Sequence, residues 1–243
     1  MQGLITLDFG NTHPHAGLFV KDASGWNLKE VVSMDVLEDA LKRLGLNPHN
    51  TTMGLCEVKA QEHMIEPLVD QGFILTRVRD YWRGQRFAGM PVNYAKTLGE
   101  DRLIEAFYLY KKEKRNVLNI DAGTFLTMDV ISAEGFQGGY IAPGIKTYFN
   151  SFENGERLKN VEVNAIFEDK LPHETSKAIS ESYSAFAALA RDLVQKHNLE
   201  KVFISGGDSL YWKDALGDLS VEVVPHLIHT SLHYWMTTQI EIS

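Results

Sequence analysis

Three clusters of residues in this chain have the types and spacing that phosphate and hydroxyl chemistry need. The first is Asp8-Phe9-Gly10-Asn11-Thr12, and the second, Asp121-Ala122-Gly123-Thr124, repeats its pattern near the middle of the chain. In both, an apolar run delivers an aspartate to a turn where glycine frees backbone N–H groups and threonine adds a hydroxyl donor. A carboxylate does not favour bare phosphate, so each aspartate implies a cation or an orienting hydrogen bond. A lone Asp-x-Gly is an ordinary hairpin turn. Its recurrence at the head of each half of the chain is what sets it apart. The third cluster is Thr97-Leu98-Gly99-Glu100-Asp101-Arg102, just before a helical pattern. Thr97 and Glu100 have capping-box spacing, which places Asp101 in the first turn, where the helix dipole and Arg102 favour its ionised form. An ionised Asp101 can accept a proton from a substrate hydroxyl, and Arg102 offers a planar fork to a carboxylate or phosphate. Acidic residues in a first turn are also simply good helix starts.

The elements that must position these residues alternate along the chain. Strand-like runs are Leu4 to Leu7, Ala16 to Phe19, Thr52 to Leu55, Val117 to Ile120, Leu126 to Val130 and Val202 to Ile204. Helical spacing marks Val36 to Leu44, Asp101 to Lys114 and Thr175 to His197. This order predicts an α/β protein with partly parallel sheets. Asn47-Pro48 and Gly84 to Pro91 read as loops, and the glycine-rich Gly135 to Gly144 as a shaped loop where backbone approaches a ligand or another segment. The run Val202 to Asp208 is a strand ending in Gly-Gly.

Composition narrows the classes. With 24 Lys+Arg against 32 Asp+Glu, the net charge of −8 predicts no general attraction to nucleic acid or an anionic membrane, so an anionic ligand must be caught locally. The single cysteine, Cys56, cannot form an internal disulfide, which fits a reducing compartment. Neither a basic-then-apolar leader nor a run of about 18 apolar residues is visible, so the expectation is a soluble cytoplasmic protein.

Taken together and in order, these pieces resemble type III pantothenate kinase, of the actin, sugar kinase and heat-shock ATPase superfamily. The resemblance is carried by Asp8 to Thr12, by Gly99 to Arg102, and by Asp121 to Thr124 with Thr127 and Asp129. Gly138 to Gly144, Leu171 to Thr175 and Val202 to Asp208 complete it. It implies two actin-like (ribonuclease H-like) α/β domains, residues 1–115 and 116–243, with ATP in the cleft between them. It implies phosphorylation of pantothenate to 4′-phosphopantothenate, the first step of coenzyme A biosynthesis, by a cytoplasmic homodimer. By the same resemblance Asp8, Phe9, Gly10, Asn11, Thr12, His13, Pro14, His15 and Thr124 bind ATP, Asp101 is the catalytic proton acceptor, and Tyr94, Gly99, Glu100, Asp101, Arg102 and Thr175 bind pantothenate. Asp121 holds a monovalent cation, potassium or ammonium, and magnesium accompanies ATP. Alternatives are a nucleotide-binding regulator of the same family without turnover, or a related small-molecule kinase.

The spacing of His226, His229 and His233 invites a metal reading. Their neighbours Leu227, Ile228, Leu232 and Trp235 favour a packed amphipathic C-terminal helix instead.

Overall fold

The apolar runs that head each half of the sequence become the central strands of two sheets. The structure, a computed structural model, describes residues 2–10, 13–59, 61–156, 158 and 171–240. In the first half, β1 (Gln2–Phe9), β2 (His15–Asp22), β3 (Gly25–Ser33), α1 (Leu37–Leu44), β4 (Thr51–Glu57), α2 (Glu62–Asp70) and β5 (Ile74–Arg77) follow one another. They build a five-stranded sheet in the order β3-β2-β1-β4-β5. The β1–β2–β3 meander is antiparallel, and β4 and β5 continue it in parallel with β1. Alternation sends Ile5, Leu7 and Phe9 to one face, where they pack with Leu18, Leu41, Ile65 and Leu68. Gly45 ends α1 in the left-handed conformation (φ 66°), which returns its N–H to the last carbonyls of the helix.

Three two-residue strands, β6 (Trp82–Arg83), β7 (Arg86–Phe87) and β8 (Met90–Pro91), form a small sheet before α3 (Glu100–Lys112). The segment 84–91, expected as loop, is therefore partly strand. Phe87 explains why, since it is fully buried and meets Phe107 of α3 edge-on.

The second half repeats the plan with β9 (Val117–Ala122), β10 (Phe125–Ser132), β11 (Gly135–Pro143), α4 (Ile145–Asn150), α5 (Thr175–Tyr183), α6 (Ala185–Lys196), β12 (Lys201–Ser205), α7 (Ser209–Ala215) and β13 (Val221–Val223). Its sheet order, β11-β10-β9-β12-β13, matches the first position for position. The glycine-rich segment is thus an edge strand rather than a loop. Its glycines do permit close approach: a Cβ on Gly139 would lie 2.2 Å from the Met128 carbonyl oxygen. The helical pattern from Thr175 to His197 is interrupted at Ser184. There Ser182 and Ser184 hydroxyls donate to the carbonyls of Ile179 and Glu181, a local competition that loosens a helix.

The last element, α8 (Leu227–Ile240), packs on β1, β2, β4 and α3. Contacts accordingly divide the chain into one unit with the residues up to Lys112, Glu134–Phe136 and the chain from His226, and another with Glu113–Ala133 and Gln137–Pro225. The sequence reading runs the second domain to the end of the chain. Small residues on the first sheet explain the difference, because Gly17 and Gly54 leave space for His229 and Met236 of α8, where an added Cβ would come within 2.8 and 2.9 Å of those side chains.

Candidate active site

In the first unit Asp8 is the last residue but one of β1, at the carboxyl edge where parallel α/β strands commonly present ligand groups. Its strand partners are His15 on β2 and Cys56 on β4. The His15 Nε2 lies 3.6 Å from Asp8 Oδ2. Burial lowers the His15 pKa, its own backbone carbonyl opposes this, and His226 and His13 lower it further. Burial pushes the Cys56 thiol well up, and the carboxylates of Asp8, Asp101, Glu100 and Glu105 add to the effect. Cys56 is therefore an inert core residue, and its surroundings show that Asp8 and Asp101 act on the same small region.

Helix α3 starts at Glu100, so Glu100 is its first residue rather than its third. The capping box expected between Thr97 and Glu100 is not what holds this end. Instead the Glu100 carboxylate accepts the backbone N–H of Glu57 (3.1 Å) and pairs with Arg79 Nε (3.2 Å). Glu57, its carboxylate almost fully buried, pairs in turn with Arg79 and with Arg77 (3.3 Å). A buried carboxylate is tolerated only with such partners, and here they tie the end of β4 to the start of α3. Burial raises the Glu100 pKa, partly offset by the Glu57 N–H and Arg79.

The Asp101 carboxylate folds back on the helix start and accepts the Arg102 N–H at 2.8 Å. A Cβ at residue 99 would lie 2.3 Å from Asp101 Oδ1, so a side chain there would displace the Asp101 carboxylate. Burial raises the Asp101 pKa, opposed by the Arg102 N–H and the Arg102 charge. The result is a carboxylate more basic than an ordinary aspartate. Arg102 is buried, with its guanidinium 5.3 Å from the Tyr94 ring centroid and 5.7 Å from that of Phe136. Cation–π contact of this kind fixes the plane of the fork.

In the second unit Asp121 is the last residue but one of β9, paired with Thr127 on β10 and Ser205 on β12. The Ser205 hydroxyl approaches Asp121 Oδ1 at 3.4 Å. Gly206 follows with φ 86°, and a Cβ there would lie 2.6 Å from Asp121 Oδ1 and 2.4 Å from the Ala122 carbonyl oxygen. Thr124 is exposed at the turn, its carbonyl accepting the Gly144 N–H (3.0 Å) and the Thr147 hydroxyl (2.7 Å). The Ser205 hydroxyl thus adds an oxygen beside the Asp121 carboxylate.

The structure thus gathers Asp8 with His15, and Gly99, Glu100, Asp101 and Arg102 with Tyr94. Phe9 points into the core, which leaves only its backbone for a ligand, and its carbonyl accepts the Val58 N–H. Gly10, Pro14 and the exposed His13 flank the turn, whereas Asn11 and Thr12 lie outside the described residues. Thr175 is exposed at the start of α5 in the second unit. Sequence reasoning missed Phe136, Glu57, Arg79 and the contact of His229 Nε2 with His15 Nδ1 at 3.0 Å. The pairing of β4 with β1 that brings Glu57 to Glu100 has no local signature.

A sheet of this order occurring twice, each with an aspartate as the last residue but one of its central strand before a glycine turn, defines the actin-like and sugar-kinase class of fold. Solved structures agree. A Campylobacter jejuni protein assigned to the Baf family of transcriptional activators superposes with a TM-score of 0.62 over 98% of this chain and 99% of its own, at 20% identity. A Sinorhizobium meliloti protein assigned as a 2-dehydro-3-deoxygalactonokinase gives 0.59 over 99% of each chain, at 12% identity. Within that class the chain belongs to the type III pantothenate kinase family, whose profile matches residues 4–196. It is 29% identical over 176 residues to the type III pantothenate kinase of Syntrophus aciditrophicus, covering 65% of this chain and 67% of that protein. The same comparison with the enzyme of Idiomarina loihiensis gives 29% over 211 residues, 80% of this chain and 75% of the relative.

Proposed function

We propose that this chain transfers the γ-phosphoryl group of ATP to the primary hydroxyl of pantothenate, giving ADP and 4′-phosphopantothenate on the way to coenzyme A. The observation that carries the reading is Asp101: a carboxylate made more basic by burial, at a helix start, beside an arginine whose plane is set by two aromatic rings. Arg102, with Tyr94, receives the pantothenate carboxylate. Asp101 accepts the hydroxyl proton as the hydroxyl oxygen bonds to the γ-phosphorus and the bond from that phosphorus to the bridging oxygen breaks, leaving ADP. Such a base typically contributes about 10²–10⁴-fold.

Asp8 and its turn serve the ATP phosphates, and Thr124 also contacts ATP. Among the described residues no three His, Cys, Asp or Glu side chains gather to hold a metal by themselves. That suits magnesium, which keeps waters and phosphate oxygens and needs only one or two carboxylates, and Asp8 fits that part. The oxygens of Asp121 and Ser205 fit a hard monovalent cation such as potassium. When bound, these cations supply neutralisation of phosphate charge. Thr175 completes the substrate site in a homodimer. No helix among the described residues is long and apolar enough to cross a membrane, which is compatible with action in the cytoplasm.

A coupled ADP-release assay with and without pantothenate, each with and without potassium, tests the reading. Release that requires pantothenate and rises with potassium is expected. Release indifferent to pantothenate contradicts it, and nucleotide binding without any turnover favours the regulatory alternative.

A further inference from the structure

A hydrogen-bonded ring joins the end of β4 to the start of α3, all within the first unit. Glu57, the last residue of β4, keeps its carboxylate only 1% exposed. Its Oε1 accepts the Gln61 N–H at 3.1 Å, and its Oε2 accepts from Arg77 Nη1 at 3.3 Å and from Arg79 Nη2. Arg79 turns Nε, on the same edge of its guanidinium, to Glu100 Oε1 at 3.2 Å. Glu100 Oε2 then accepts the Glu57 backbone N–H at 3.1 Å, which closes the ring. The two arginines are not equivalent. Arg77 also reaches Glu62 on α2 at 2.8 Å, so it serves that helix as well. Arg79 is the group that spans both buried carboxylates.

We propose that Arg79 is a positioning residue for the phosphoryl acceptor site: by holding Glu57 and Glu100 together it sets where the first turn of α3 lies, and so where Asp101 and Arg102 stand. Two adjacent carboxylates repel each other, and a planar fork with one nitrogen on each holds them at a fixed spacing. Successive helical residues are about 100° apart around the axis, so a first residue fixed against β4 fixes the directions of the next two. Asp101 takes the Arg102 N–H of that same turn at 2.8 Å and moves with it. Arg102 is braced separately by the rings of Tyr94 and Phe136. Asp101 therefore stands between two anchors. Burial separates this ring from an ordinary surface ion pair, because removing the arginine leaves one buried carboxylate facing another. Arg79 itself is half-exposed, so replacing it removes charge more than core packing. The proposal rests on the reading of Asp101 as proton acceptor and Arg102 as the group that receives the pantothenate carboxylate.

The test is steady-state kinetics of pantothenate phosphorylation by the full chain, with a thermal melt of each variant. Arg79→Met is expected to lower kcat about 10–100-fold and to raise the KM for pantothenate, with the KM for ATP within about twofold of the parent, the pattern of a displaced acceptor site. Arg79→Lys keeps the charge but cannot span two carboxylates, and its kcat stays well below that of the parent. Adding Glu57→Gln to Arg79→Met removes the charge that Glu100 faces and restores most of the lost kcat. Parent kinetics in folded Arg79→Met overturn the proposal. So does a fall in kcat with both KM values in place and a partly melted protein, which is the mark of lost folding alone. Should Arg79→Met fail to fold, Arg79→Lys is read by the same split, and parent kcat in Arg79→Lys overturns the fork. A double variant no faster than Arg79→Met also contradicts it. A parent protein whose ADP release ignores pantothenate instead overturns the reading of the site, which its own assay shows before any variant is compared.

Discussion

Asp8 and Asp121 occupy the same place in two sheets of the same strand order, yet their surroundings have diverged. Around Asp8 the neighbours are nitrogen bases: His15 beside it and His229 behind, with the Asp101 helix start close to the shared Cys56. Beside Asp121 stands the Ser205 hydroxyl, at a turn drawn tight by Gly206. The repeated strand order presents two equivalent carboxylates, and the side chains on neighbouring strands give them different surroundings. In the proposed function the Asp121 side is the one that would take the monovalent cation. The first unit adds Asp101, its pKa raised by burial, beside an arginine held against two aromatic rings.

That asymmetry can be broken most severely at Asp101. Asp101→Asn is expected to lower kcat by about 10²–10⁴-fold, measured by steady-state ADP release, with the fold intact. Because burial raises the Asp101 pKa, its stabilising contribution is full below the unfolded carboxylate value and lost as pH rises through the folded value. Asp101→Asn therefore unfolds no lower than the parent at neutral pH in a thermal melt. The same direction predicts that the kcat of the parent falls, as pH drops, at a value above the ordinary aspartate range.

Next in size is Arg102→Lys, which keeps the charge but loses the planar fork over Tyr94 and Phe136. The KM for pantothenate is expected to rise about 10–100-fold, the scale of a lost charged hydrogen bond, with the KM for ATP little moved. Asp121→Asn probes the carboxylate of the second unit: activity in potassium should fall to the level seen without it, and titration with potassium should no longer raise the rate. The smallest effect is at Gly206→Ala. Its positive φ and the 2.4 Å approach to the Ala122 carbonyl predict a stability loss of about 1–3 kcal/mol by denaturant unfolding, confined to the second unit.

How far the sequence revealed this follows from where each signal resides. The two Asp-Gly turns and the Gly99-to-Arg102 run are contiguous, so spacing alone exposes them, and β1, β4, β9, β10 and β12 all fall where their apolar runs lie. What stayed hidden depends on pairing between distant segments. Glu57 meets Glu100 and Arg79 only because β4 lies beside β1 and α3 begins at its end. The C-terminal helix joins the first unit because Gly17 and Gly54 make room for it, a cue readable only once the sheet exists. The Gly135-to-Gly144 segment shows the converse. Its glycines announce close backbone approach correctly, but the same feature serves an edge strand as well as a loop.

The most direct test of the central claim is product identification by ³¹P NMR and mass spectrometry after incubating the chain with ATP, magnesium, potassium and pantothenate. A new phosphomonoester on pantothenate, formed in step with ADP and almost absent with Asp101→Asn, is the expected result. ADP formed without phosphorylated pantothenate, or an Asp101→Asn variant that makes the ester at the parent rate, would contradict the account.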